Sequence, residues 1–117
     1  MSAVLHYVTD AASALEQARQ RGAHAYLVGP VTSKEQALDA IGNALSFPSW
    51  YGHNLDALYD CLVDLSWQPA GEQVLIWAGH RKLAGADPDA YRAVLEVLRD
   101  AAAARSDRPL TVVLADE

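Results

Sequence analysis

Three aspartates at four-residue spacing are the side chains of this 117-residue chain best suited to bind a cationic group. Asp56, Asp60 and Asp64 lie in residues 47–65, FPSWYGHNLDALYDCLVDL. In a helix this spacing places the three carboxylates on one face. Like charges at positions i and i+4 repel by about 0.2–0.5 kcal/mol per pair, so the pattern lowers the stability of the helix itself. A departure of this kind is expected at a functional site, although an ordinary solvated helix face can also carry such charges.

The leucines of the same segment predict how this helix is held. Asn54 can cap its N-terminus, because a side-chain oxygen at that position accepts from a free backbone N–H group. The apolar positions that follow are separated by three, four and three residues and are Leu55, Leu58, Leu62 and Leu65. They form one stripe almost opposite the aspartates. We therefore expect the leucines to pack inward and the carboxylates to face water.

The segment before the helix contains aromatic residues together with a proline and a glycine. Pro48 stiffens this segment, and Gly52 can adopt a backbone conformation that is closed to other residues. We therefore expect Trp50 and Tyr51 to be held in fixed positions.

The stretch PSWYGHNLDALYDCL, residues 48–62, resembles the signature of the barstar family of intracellular ribonuclease inhibitors. In that signature a proline, two aromatics, a glycine and an asparagine lead into an LDAL-aromatic-DCL helix. This chain has Ser49 in place of an acidic residue, Trp50 in place of tyrosine and Tyr59 in place of tryptophan. The two aromatic exchanges preserve flat, amphipathic contact area. The resemblance extends more loosely from about Ala25 to the C-terminus and does not cover the first two dozen residues.

The resemblance implies an inhibitor that covers the active site of a basic, secreted, guanyl-specific ribonuclease. Such a site holds a phosphodiester with arginine, lysine and histidine, so a rigid carboxylate can take the phosphate position and accept the same charge-assisted hydrogen bonds. Asp60 matches the phosphate-mimicking aspartate of the family, Asp56 matches a second acidic contact, and Tyr59 matches an aromatic contact. The loop that covers the active-site mouth is matched by Trp50, Gly52, Asn54 and Leu55.

Three further residues fall at the edge of the implied interface. Residues 94–101, VLEVLRDA, align with a related stretch of the family and place Asp100 where a peripheral glutamate contact is expected. The side chain of Asp100 is shorter than that of glutamate. Val63 and Asp64 lie near the interface edge, and the role of Asp64 is inferred from this sequence alone, because the family has no matching acidic residue there.

Two other interpretations of the same residues stay open. His53, Asp56 and Asp60 are close enough in sequence to suggest a metal-ligand cluster or a His/Asp acid–base pair. A single histidine beside two surface carboxylates is a weak signal, however, so we predict neither catalytic residues nor a metal or other cofactor. The second alternative keeps the fold but changes the target to a different toxin or another basic protein, with the chain as an immunity protein or binding module.

Composition limits the classes of partner and the compartment. The net charge of −6 argues against nucleic acid or an acidic membrane as a partner and permits a basic protein. Cys61 is the single cysteine, which excludes an internal disulfide, suits a reducing compartment and is most simply a small core residue. The chain contains no apolar run long enough to span a membrane, and its first residues do not resemble a signal peptide. We expect a cytoplasmic protein that is monomeric when free.

The remaining segments predict alternating strands and helices. Strands are expected at residues 4–8, 25–28, 74–77 and 110–114, and helices at 10–21, from 33 to before the loop at 47–53, at 54–65 and at 87–104, with a short irregular or helical turn at 79–86. Strands separated by helices require crossovers, which predicts an α/β fold with a parallel sheet and right-handed connections. The resemblance implies three parallel strands, and the strand near Val4 can add a fourth. We expect a single barstar-like domain, with a strand–helix extension at residues 1–24 on a body at residues 25–117.

Overall fold

A computed structural model describes residues 5–104 and 107–117 of the chain. In these residues the elements are, in order, β1 (Leu5–Val8), α1 (Ala11–Gln20), β2 (His24–Val28), α2 (Lys34–Ala44), α3 (Leu55–Asp64), β3 (Gln73–Ala78), α4 (Arg81–Ala86), α5 (Pro88–Ala103) and β4 (Leu110–Ala115). The predicted α/β class is confirmed, and the segment at 79–86 contains the short helix α4. Val4, which was expected to begin the first strand, lies outside the described residues.

The sheet is parallel throughout, with strand order β1-β4-β3-β2. The most apolar strand, β3, is central and pairs with β2 on one side and β4 on the other, with Leu75 opposite Tyr26 and Val112. β1 pairs with β4 at the edge, so the predicted fourth strand is present. The division into an extension and a body at residue 24 stays a prediction.

Alternating residues of β3 serve two separate cores. Leu75 and Trp77 belong to the larger core, which lies between the sheet and the helices α2, α3 and α5. Val74 and Ile76 face the opposite side, where α1 covers the sheet with small side chains such as Ala11 and Ala18. This alternation follows from the two-residue period of a strand that is buried on both faces. It places α3 and α1 on opposite sides of the sheet.

Side chains cap the starts of α2 and α3, as predicted for Asn54. Asn54 Oδ1 accepts from the Ala57 N–H at 2.8 Å, and Ser33 Oγ accepts from the Gln36 N–H at 3.1 Å. In a capping box the Gln36 side chain would also accept from the backbone N–H of Ser33. It accepts instead from the N–H of Thr32 at 2.9 Å, one residue earlier. Among residues 5–104 and 107–117, no helix has both the length and the apolarity needed to cross a membrane.

Candidate protein-binding site

The helix α3 is held by its leucine side, as predicted. Leu58, Leu62 and Leu65 are almost completely buried in the larger core, and Leu55 is half-buried against it. Asn54 caps the first turn, and Leu65 adopts the left-handed conformation (φ +48°) that ends the helix. Side chains on the opposite face of α3 are therefore carried by a firmly packed element.

The three aspartates of this helix form an exposed acidic ridge, defined here as Asp56, Asp60 and Asp64. All three are exposed to solvent. Asp64 accepts a hydrogen bond from Ser66 Oγ at 3.3 Å. Within the described residues, no cationic side chain lies within ion-pair distance of the ridge. The carboxylates of Asp56 and Asp60 are thus open to a partner.

Cys61 lies on the buried side of α3, where the charges of the ridge affect the pKa of its thiol. Cys61 is fully buried, as expected for a small core residue. Burial raises its pKa, and the negative charges of Asp60 and Asp64 raise it further. The neutral thiol is the stable form there, which argues against a nucleophilic role.

The aromatic loop, residues 47–53, is attached to α2 through Tyr51. This side chain is buried, and its hydroxyl donates to the Leu38 carbonyl at 3.2 Å. Its ring packs on Gly42 so closely that a Cβ built on Gly42 would lie 2.9 Å from Tyr51 Cε2. Burial, with smaller contributions from the charges of Cys61 and Asp39, raises the pKa of Tyr51 to about 12. Tyr51 is therefore an internal anchor of the loop.

The prediction that Gly52 adopts a backbone conformation closed to other residues was wrong, because the left-handed residues of this segment lie at other positions. Gly52 does not have a positive φ, whereas Ser46 (φ +55°) and His53 (φ +53°) do. The chain makes its left-handed turns at the two ends of the loop, where it leaves α2 and enters α3. Gly52 serves a different purpose, because a Cβ there would lie 3.2 Å from Asn54 Nδ2 and crowd the helix cap.

Two exposed aromatic side chains belong to the same loop and helix. Trp50 is 63% exposed and Tyr59 is 36% exposed. Trp50 meets the edge of Trp67, with 6.4 Å between the ring centroids, and Trp67 Nε1 donates to the Leu45 carbonyl at 2.9 Å. The exposed ring of Trp50 is thus supported by a residue that is itself fixed to the end of α2. The sequence had indicated no role for Trp67.

The other predicted site residues are distributed around the ridge. Val63 is half-buried against the core, and Asp100 is exposed on α5, which packs beside α3. The side chain of Asn54 is occupied by the helix cap and by a 3.5 Å contact from Nδ2 to the Gly52 carbonyl. One loop and one helix therefore carry all the predicted residues except Asp100.

His53 does not join the ridge carboxylates as the metal or acid–base alternative required. Its Nε2 lies 3.3 Å from Asp39 Oδ1 on α2, and its ring lies against Tyr51 with 4.5 Å between centroids. In the part of the chain that the structure describes, no group of three or more histidine, cysteine, aspartate or glutamate side chains is arranged to hold a metal ion. The proposed cluster of His53 with Asp56 and Asp60 is not assembled.

Comparison with known proteins agrees with this arrangement of elements. The family model described as Barstar (barnase inhibitor) matches residues 23–115, from the residue before β2 to the end of β4. A search of curated proteins found no match. The matched region contains the aromatic loop, the acidic ridge and all three strands of the predicted body. Because the match covers most of the 117 residues of the chain, the chain belongs to the Barstar (barnase inhibitor) family.

Proposed function

We propose that this protein inhibits a ribonuclease by inserting the acidic ridge into the enzyme's cationic active site. The observation that carries the proposal is the state of Asp56 and Asp60, which are exposed and without a cationic partner among the described residues. Family membership supports the same role.

Asp60 is the residue assigned to the phosphate position. It lies in the middle of α3, between Asp56 and Asp64, and the next residue, Cys61, is fully buried. A carboxylate on such a fixed element loses little conformational freedom on binding, so more of its interaction energy remains as affinity. Arginine and lysine in the enzyme can then donate to it as they would to a phosphodiester.

Exposed aromatics complete the proposed interface. Trp50 in the aromatic loop and Tyr59 on α3 offer flat exposed surfaces, and tyrosine and tryptophan are frequent at the energetic centres of protein interfaces. By excluding water they would strengthen the charged contacts of Asp60. Val63, Asp64 and Asp100 would lie at the rim, where each contributes less.

The charge of the whole chain suits rapid association. A net charge of −6 and an open ridge attract a basic enzyme, and electrostatic steering of this kind gives on-rates of about 10⁸–10⁹ M⁻¹s⁻¹ at low salt, a range for which barnase and barstar are themselves a reference case. An inhibitor of a secreted ribonuclease protects the cell that makes the enzyme, so we propose a cytoplasmic location. We also propose that the free protein is a monomer.

The test is an inhibition assay with a secreted guanyl-specific ribonuclease. We expect wild-type protein to inhibit, more weakly as salt is added, and Asp60→Ala to raise Kd by at least about 30-fold, as for an interface hot spot. Glu16→Ala is the matched control, because it removes one exposed charge from α1, on the far side of the sheet. Equal inhibition by Asp60→Ala and wild type would show that the phosphate-mimic assignment is wrong. Tight binding to a basic toxin without ribonuclease activity would favour the alternative target.

A further inference from the structure

The aromatic loop is fastened to α2 at three residues of that helix, and one of these attachments pairs a histidine with an aspartate. Leu38 accepts the hydroxyl of Tyr51, and Gly42 accommodates its ring; both contacts are buried and uncharged. The third attachment is the 3.3 Å contact between Asp39 and His53, whose side chains are 62% and 58% exposed. Water can therefore deliver a proton to this attachment without opening the fold.

The imidazole of His53 is held in place by its surroundings. Its backbone is left-handed, its ring lies against Tyr51, and the next residue is the N-cap of α3. Asp39 is the one acid within ion-pair distance of His53 among the described residues. The hydroxyl of Tyr51 is engaged with α2, and Asp56 on α3 makes no ion pair with the imidazole. Glu35 lies one turn before Asp39 on α2 and adds negative charge to the same helix.

We propose that His53 and Asp39 form a proton-dependent latch that positions the aromatic loop for binding. A neutral imidazole carries no charge to attract the carboxylate 3.3 Å away, whereas a protonated one makes an ion pair and holds the loop more firmly. The charge of the added proton is balanced locally by Asp39, which lies on α2 and not on the acidic ridge. His53 is a positioning residue that acts through Tyr51 and the neighbouring Trp50, and its effect on inhibition rests on the function proposed above.

The latch is first tested in the free protein by NMR between about pH 5 and 8, the range in which histidine changes charge. We expect the indole N–H of Trp50 and the backbone amides of residues 50–52 to shift with pH, and this response to become smaller in Asp39→Asn and to disappear in His53→Asn. Asparagine tolerates the left-handed backbone of residue 53 while removing the imidazole. His6→Asn, which removes an exposed histidine from β1, is the control and should leave the response unchanged. A response as large in Asp39→Asn as in wild type, or none in wild type, would overturn the latch.

The second test compares affinities for the ribonuclease at two pH values. The ratio of Kd for Asp39→Asn to Kd for wild type should be about two- to fivefold higher at about pH 5.5 than at about pH 8, the range for one exposed ion pair. Changes in the protonation of the enzyme affect both Kd values equally, so their effect cancels in this ratio. The same ratio at both pH values would show that the latch does not contribute to binding. If wild type inhibits no ribonuclease but the NMR response of Trp50 is present, the proposed function fails and the latch stands.

Discussion

Replacing Gly42 by alanine tests whether the aromatic loop is fixed by its contact with α2. In an isolated helix this substitution would stabilise by about 1 kcal/mol, because alanine is the better helix former. Here the new methyl group would lie 2.9 Å from Tyr51 Cε2, 3.2 Å from Tyr51 Cδ2 and 3.4 Å from Phe47 Cδ2. Tyr51 cannot easily move away, since its ring is buried and its hydroxyl is bonded to Leu38.

Overpacking of this kind costs about 1–3 kcal/mol, which exceeds the gain in helix propensity. We therefore expect Gly42→Ala to lower the free energy of unfolding by about 1 kcal/mol, measured by urea denaturation with fluorescence detection. Gly85→Ala is the matched control, because Gly85 lies in α4 and a Cβ there would meet nothing within 4 Å. It should leave stability unchanged or raise it. If Gly42→Ala were as stable as wild type or more stable, the loop would not be held as described.

Two further predictions concern buried rings. Burial lowers the pKa of His80, the charge of Arg81 lowers it further, and Asp116 acts in the opposite direction. The unfolded chain takes up this proton near the ordinary value of 6.5, whereas the folded protein takes it up only at lower pH. The contribution of neutral His80 to the free energy of unfolding is therefore complete above about pH 6.5 and is lost as the pH falls below it. Denaturation curves of His80→Gln should show a weaker pH dependence between about 6.5 and 5, and an unchanged dependence would contradict the assignment. Tyr51→Phe should cost about 0.5–1.5 kcal/mol of stability through loss of the hydrogen bond to Leu38, with little change in Kd. A large change in Kd measured by inhibition would mean that this hydrogen bond, and not the packing of the ring on Gly42 alone, positions the loop for binding.

The features that the sequence predicted well are those set by local periodicity. The leucine spacing of residues 55–65 and the cap at Asn54 define α3, and the apolar run at residues 74–77 defines the central strand β3. Both patterns need only the geometry of one element and a buried side for it to face. The exposure of the acidic ridge followed from the same reasoning.

The details of the aromatic loop could not be predicted in this way, because they depend on contacts between distant residues. Tyr51 donates a hydrogen bond to the carbonyl of Leu38, 13 residues away, and Trp67 donates one to the carbonyl of Leu45, 22 residues away. Gly42 offered one sequence signal, since a glycine inside a helical pattern often marks a close approach by another group. Nothing in the sequence alone indicated that this group is the ring of Tyr51.

The packing of α3 explains why this helix is stable although its three aspartates repel one another. Repulsion along the acidic ridge costs about 0.2–0.5 kcal/mol for each of its two adjacent pairs, and a helix of 10 residues is marginal by itself. On the other face, Leu58, Leu62 and Leu65 are almost completely buried, and each such side chain contributes about 1.5–3 kcal/mol. The packing exceeds the repulsion several-fold, so the exposed face of α3 can hold charges that no cationic side chain among residues 5–104 and 107–117 pairs with.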